Sequence, residues 1–389
     1  MKPPAGQLLT SSSRASQTAT AVTIVAHDIG RTRGMERQLS ELATGLARLG
    51  DEVTLIARSC ELPEQPGITF RRVRGPARPF LIAYPWFMLA GSLAVRRWRR
   101  GIVQATGAIV LNKVDVIAVH YCHQVATATP SRSTWLFRAH VRLAQVLKRW
   151  GERICFRSGR AGAVVCVSEG VAEEIREYFP ALSGRVRTIH NGIQTADFTP
   201  GLHKDKASDM RRRLDIADGR LVVAFVGSEW ERKGLRWLIE ALALAPSWDL
   251  VVAGGGDQRR FGGLADSLEV GNRVHWLGVT RQVAAVYELA DAFVLPSSYE
   301  TFSLVTFEAA ASGLPVLATP VNGVRELIED GHNGFLITLE PRVIAERLER
   351  LASDSALRER LGRAARLSAL EYDAEKMIAA HHELYLSLA

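Results

Sequence analysis

The sequence predicts an α/β protein made of two successive doubly wound units that face each other across a cleft. Three observations carry that expectation. Short β-rich apolar runs alternate with helix-period stretches along most of the 389 residues, a pattern that implies parallel strands joined by right-handed crossovers. The alternation restarts after Pro200, and a chain of this length at roughly 150 residues per domain suggests two or three domains. Charge changes sign near the same place: 27 Lys and Arg stand against 14 Asp and Glu in residues 1–200, and 22 against 27 in residues 201–389, within a net +8.

The elements follow in order. Residues 1–20 are polar and lack an apolar h-region, so they read as a disordered leader and not a secretory signal, which favours the cytoplasm. "AVTIVAHD" (21–28) is a strand that ends in a Gly-containing loop, Gly30 to Gly34. The helix-period "MERQLSELATGLARLG" and the strand "EVTLIA" complete a β-loop-α-β unit. "VDVIAVH" (114–120) and "GAVVCVS" (162–168) repeat the strand pattern, and Ser168 is placed to cap the helix "EGVAEEIREYF". The second unit reads "RLVVAFVG", the helix "RKGLRWLIEALALA", "DLVVAGGG", "RVHWLG", the helix "RQVAAVYELA", "DAFVLP", "LPVLAT" and "GFLIT". The resulting division is a leader (1–20), two Rossmann-like domains (21–199 and 200–370) and a terminal helix (371–389).

Composition excludes several classes. The four cysteines, at 60, 122, 155 and 166, match no disulfide or zinc spacing and read as buried thiols. A basic N-terminal half admits nucleic acid, an anionic membrane or an anionic substrate. No single-strand stacking module and no helix-turn-helix signature is evident, so nucleic acid ranks last. Phe80 to Val95 is a run of sixteen uncharged residues interrupted by Pro85 and followed by "RRWRR". It is short of the ~20 residues a spanning helix needs. Two readings stay open: an interfacial segment with Trp86 and Trp98 near lipid headgroups, or a buried helix with a solvated basic end.

Ligands of doubly wound sheets bind beyond the carboxyl ends of the strands, and three loops there could converge on an anion. "GSEWERKG" (227–234) sets Arg232 and Lys233 at a helix start, where dipole and cations act together. "AGGGD" includes Gly254 and Gly255, which allow close backbone approach. "YETFSLVTFE" (299–308) places Glu300 and Glu308 around a strand-to-helix turn and offers the amides of Phe302, Ser303 and Leu304 to a pyrophosphate. Singly, each loop is as well explained by a solvated face or a tight turn; together they make a site.

The segments "HNGIQTADFTP", "VGSEWERKGLRWLIEALA", "VVAGGGD" and "YETFSLVTFEAAASGLPVLAT", with weaker echoes in "GMERQLSELATGLARLG", resemble glycosyltransferase family 4 over about residues 21–375. Glu, seven residues, Glu and a following Gly-Leu-Pro-Val is the most specific element. The resemblance implies the GT-B architecture, with an acceptor domain followed by a donor domain, and retaining transfer of a sugar from a nucleoside diphosphate to an acceptor hydroxyl. It implies that Glu308 binds the donor ribose, that Glu300 contacts the donor sugar, and that Lys233 and Arg232 hold the pyrophosphate and stabilise the leaving group. Leu277 to Val279 would flank the base, with Asn191 and Gly192 also on the donor side. Gly34 and Glu36 would form the opposite, acceptor-side wall.

The family usually has an arginine where this chain has Ser228, and Arg232 is the candidate replacement. In "AVHYCH" (118–123), His120 resembles the family's active-site histidine, with His123 as the alternative. A site of His120, Cys122 and His123 lacks a second ligand pair at zinc spacing, so neither metal nor cofactor is expected. The expected partners are a nucleotide-sugar donor and a glycan or lipid-linked cell-envelope acceptor, with peripheral contact to an anionic membrane and none to nucleic acid. The rivals are a GT-B-type epimerase or phosphorylase and a non-catalytic sugar-nucleotide sensor or membrane scaffold. A dehydrogenase would want G-x-G-x-x-G after the first strand, which "DIGRTRGME" does not supply.

Overall fold

The first sheet grows outward from its earliest strand. In the computed structural model, which describes residues 19–30, 34–125 and 135–389, β1 (Ala21–Val25) pairs in parallel with β3 (Glu52–Ala57) on one side and β6 (Ile102–Thr106) on the other. β5 (Ile68–Arg72), β7 (Val114–Val119), β8 (Ala161–Cys166) and β9 (Val186–Thr188) extend it to seven parallel strands in the order β5-β3-β1-β6-β7-β8-β9. The two-residue strands β2 (Asp28–Ile29) and β4 (Ser59–Cys60) pair beside it. Its crossovers use α1 (Gly34–Arg48), α2 (Phe80–Trp98), α3 (Trp135–Cys155) and α4 (Glu169–Tyr178). β6 is buried throughout its length and β7 nearly so, as expected of central parallel strands covered on both faces.

The second unit opens with α5 (Lys204–Arg213) and β10 (Leu221–Val226), followed by α6 (Leu235–Leu242), β11 (Trp248–Ala253), α7 (Gln258–Ser267), β12 (Val274–Gly278), α8 (Val283–Leu289) and β13 (Ala292–Leu295). It continues through α9 (Leu304–Ala311), β14 (Val316–Ala318), α10 (Val324–Leu327), β15 (Gly334–Leu336), α11 (Pro341–Ser353), α12 (Ser355–Ala369) and α13 (Ala374–Leu388). Its six strands run parallel in the order β12-β11-β10-β13-β14-β15. α13 leaves this unit and returns to the first: Met377, Ile378 and Tyr385 are buried in one apolar cluster with Leu39, Leu42 and Leu46 of α1.

Three expectations change. Arg232 and Lys233 precede α6 and do not open it, because Gly234 in the left-handed region (φ +76°) intervenes. α2 runs through Pro85 as a single helix of 19 residues, although an interior proline removes one backbone bond. α2 is also neither wholly buried nor wholly interfacial; its two faces differ. Residues 1–18 of the expected leader lie outside the described residues. No described helix is long and apolar enough to cross a membrane.

Candidate active site

β13 is buried at all four positions, so the turn after it leaves the core and carries polar residues back to α9. In that turn Glu300 is 8% exposed. Its Oε1 lies 2.8 Å from Lys233 Nζ and 3.2 Å from an Arg232 guanidinium nitrogen, and it accepts a hydrogen bond from Ser297 Oγ at 2.9 Å. Burial alone would raise this carboxyl's pKa; Lys233 and then Arg232 overcome it and hold the group below its ordinary range. Arg232 also donates to the Tyr299 carbonyl at 2.5 Å and pairs with Glu229. The turn holding both cations needs glycine at 234, where a Cβ would stand 1.9 Å from the Pro296 carbonyl oxygen. Local backbone geometry thus presses the cation loop onto the Glu300 loop.

The other donor-side loops converge nearby. Gly254, at φ +124°, lies where a Cβ would be 2.1 Å from the Gly227 carbonyl oxygen. A Cβ at Gly255 would lie 3.4 Å from Val279 Cγ2 and 3.9 Å from Ser228 Oγ. Gly255, Val279 and Ser228 therefore share one surface. Leu277 is half-buried, and Val279 is 83% exposed. Phe302, Ser303 and Leu304 lead into α9 with Ser303 left-handed (φ 69°) and no side chain capping the helix, which leaves first-turn amides for a ligand.

Glu308, one turn into α9, is 2% exposed. It is gripped by the Arg37 guanidinium of α1 and by the Tyr287 hydroxyl at 3.2 Å. Arg37 also lies 3.8 Å from Glu41. At the same junction a Cβ on Gly34 would lie 3.3 Å from Leu304 Cδ1, so the start of α1, which includes Gly34 and Glu36, faces the start of α9. Nothing in the sequence pointed to Arg37. It is one exposed-looking arginine on an amphipathic helix, and its partner is in the other unit.

His120 directly follows β7 and lines a cavity of about 20 Å³ together with Gln38, Gln104, Asn191 and His381. Burial lowers its pKa to about 4, so the ring is neutral near pH 7. His123 is held from α3, its amide donating to Glu152 and its carbonyl accepting from Gln145 and Arg149, and its ring lies 4.7 Å from that of Tyr121. Between the two, the Tyr121 ring meets that of Tyr299 at 5.4 Å, so the His120 loop touches the Glu300 loop. Asn191 shares the His120 cavity. Gly192 has its N–H and carbonyl both bonded to the Gln38 amide, and a Cβ there would lie 2.4 Å from Ala374 Cα. It is a packing glycine where two segments cross. His381, on α13, was not singled out from the sequence.

Both carboxylates are thus neutralised by cations, on different elements. That is not the arrangement of a paired acid and base, which keeps one proton available between them. Among the described residues no cluster of His, Cys, Asp or Glu could hold a metal ion.

Comparison with known proteins gives the family. The family model for glycosyl transferases group 1 matches residues 206–368, and that for glycosyltransferase family 4 matches residues 32–197. A D-inositol 3-phosphate glycosyltransferase of Actinosynnema mirum is 30% identical over 373 residues, covering 85% of this chain and 87% of its own. An uncharacterized glycosyltransferase of Methanocaldococcus jannaschii, MJ1607, is 28% identical over 351 residues, 84% of this chain and 87% of its own. Among solved structures, WaaG, a glycosyltransferase involved in lipopolysaccharide biosynthesis, superposes with a TM-score of 0.78 at 22% identity, covering 93% of this chain and 98% of its own. Anabaena Alr3699/HepE in complex with UDP-glucose gives 0.71 at 19% identity, over 95% and 100%. With its two parallel sheets in the GT-B arrangement and these relatives along nearly its whole length, the chain belongs to the family 4 glycosyltransferases.

Proposed function

We propose that the protein moves a sugar from a nucleoside diphosphate to an acceptor hydroxyl with retention at the anomeric carbon, the acceptor being a glycan or lipid-linked molecule. The observation that carries this reading is the cluster of Glu300, Lys233 and Arg232 beside the open first turn of α9. In the free protein the two cations neutralise Glu300. A bound donor exchanges these partners: its diphosphate takes Lys233, Arg232 and the amides near Ser303, and Glu300 turns to sugar hydroxyls. Glu308 accepts from the ribose hydroxyls, with Arg37 released or shared.

During transfer the bond from the anomeric carbon to the phosphate oxygen breaks and the bond to the acceptor oxygen forms on the same face. The acceptor proton passes to the departing phosphate oxygen. The protein's part is orientation and stabilisation of the charge growing on the leaving group. That role suits cations and amides held by buried loops more than a proton-transfer pair. His120, neutral and half-buried, serves as a hydrogen-bonding wall near the sugar. Neither metal nor cofactor enters this scheme.

The test is to incubate the purified chain with UDP-, GDP- and ADP-sugars, following donor binding by calorimetry and hydrolysis or transfer by NMR, which also reports the anomeric configuration of the product. Binding of one nucleotide class and an α-configured product from an α-linked donor are expected. No binding of any donor would overturn the reading, and an inverted product would overturn retention.

A further inference from the structure

Two neighbouring helices of the first unit carry apolar rows that face outward. On α2, Ile82, Trp86, Leu89 and Leu93 are 57%, 51%, 60% and 65% exposed, and their spacing of four, three and four places them on one face. The opposite face of the same helix, including Tyr84, Phe87, Met88 and Val95, is buried. On α3, Leu143, Val146 and Trp150 are 56%, 62% and 53% exposed and again follow helical spacing. The helices pack together, with Lys148 of α3 lying 5.0 Å over the Phe80 ring of α2 and Gly151 against the Tyr84 hydroxyl. Soluble proteins rarely leave contiguous apolar surface of this kind without a use.

The surroundings name the use. A groove of about 630 Å³ between β5 and α2 is lined by Arg71, Arg72, Arg74, Leu93, Arg97 and Trp98. Within the described residues none of these four arginines forms an ion pair, and Arg78, Arg96 and Arg99 add to the same exposed rim. Apolar residues ringed by unneutralised arginines match an interface that is hydrocarbon inside and phosphate at its edge. A second copy of the chain would set these arginines against their own symmetry mates. A nucleic acid would satisfy the charges but leave Ile82, Leu89 and Leu93 without apolar partners.

We propose that this α2–α3 face docks on an anionic phospholipid surface, with headgroup phosphates in the arginine-lined groove and the α2 row entering the acyl boundary. Docking there bears on the reaction site. α3 holds the loop that carries His123 through Glu152, Gln145 and Arg149, three residues beyond His120, so one helix belongs both to the docking face and to the support of the loop beside the site. An acceptor with a lipid tail would then reach the site without leaving the bilayer. The docking itself is read from lipid binding in the absence of donor, so its failure and the failure of the transfer reading are separate results.

The experiment uses the whole chain and vesicles of phosphatidylglycerol mixed with phosphatidylcholine, against vesicles of phosphatidylcholine alone. Sedimentation and quenching of tryptophan fluorescence by brominated acyl chains report binding and insertion. The expected result is salt-sensitive binding to the anionic vesicles only. Replacing Arg71, Arg72, Arg74 and Arg97 together by alanine should lower the partition coefficient at least about tenfold. Leu89→Asp with Leu93→Asp should abolish quenching while the far-UV spectrum and melting temperature are kept, because both side chains are exposed. Equal binding to neutral vesicles, no binding, or binding indifferent to the arginine variant would overturn the proposal. So would a concentration-dependent dimer that Leu89→Asp dissociates, since a second copy would then cover the face.

Discussion

Glu300 and Lys233 are a buried ion pair, and such a pair is costly to break from one side. Replacing Glu300 by Gln keeps the shape and the contact with Ser297 but strands the ammonium of Lys233, which is 9% exposed. The variant should lose about 3 kcal/mol of stability by chemical denaturation and more than about a hundredfold in transfer, with a smaller loss in donor affinity. A donor affinity reduced as much as the rate would assign Glu300 to ground-state binding. Glu41 makes a different prediction. Burial first, and the charge of Glu308 as well, raise its pKa to about 7 from an ordinary 4.5, although Arg37 opposes them. A carboxyl raised on folding favours the folded state most below its unfolded pKa, and that advantage is lost as pH rises through the folded value. The contribution of Glu41 should therefore fall between about pH 4.5 and 7, so the difference in stability between the parent and Glu41→Gln should change across that range with this sign, as paired unfolding curves would show. None of these partnerships was legible in the sequence beyond the identity of the residues. Glu300 and Glu308 stand out by spacing, but Arg37 and Glu41 only acquire meaning once α1 meets α9.

At the scale of elements, strands and helix starts were legible because their signals are local. Ser168 is an example: from sequence it caps α4, and in the structure its Oγ accepts from the Val171 amide at 3.2 Å. The same hydroxyl donates to the Thr301 carbonyl at 2.7 Å, one residue from Glu300, which sequence could not show because it joins two separate units. Ser168→Ala should thus cost about 1 kcal/mol as a lost cap and also lower kcat by loosening the Glu300 loop. Ser168→Thr, which keeps a hydroxyl, should restore both. Loss of stability without loss of rate would confine Ser168 to capping. Among the elements the sequence did not mark were β5, β6 and α3. β5 is exposed at four of its five positions and rich in arginine, so it lacks an apolar signal.

The whole molecule is tied together where the chain crosses between its units twice. The outbound crossing at Ile193 and the return at Asp373 form a parallel bridge, with the Ile193 amide donating to the Tyr372 carbonyl and the Ala374 amide to the Ile193 carbonyl, both at 2.9 Å. Further bonds join α4 to the segment around α10, from Asn322 to Glu174 and from the Glu169 amide to Glu326. Opening the cleft must break these peripheral bonds and turn about the paired crossings, since hinges are the few residues that absorb such rotation. Gly192 is the place to test this, because a Cβ there collides with the backbone of Ala374 and forces the two crossings apart. Gly192→Ala should cost about 1–3 kcal/mol as overpacking and change kcat and KM together. Gly45→Ala is the matched control: its Cβ would meet Ile378 at 2.3 Å, between α1 and α13 but away from the crossing and against a side chain that can turn aside. Kinetics altered by the first substitution and untouched by the second would place the hinge at the paired strands. Equal kinetic effects from both would mean that packing of α13 as a whole, and not the crossing, governs closure.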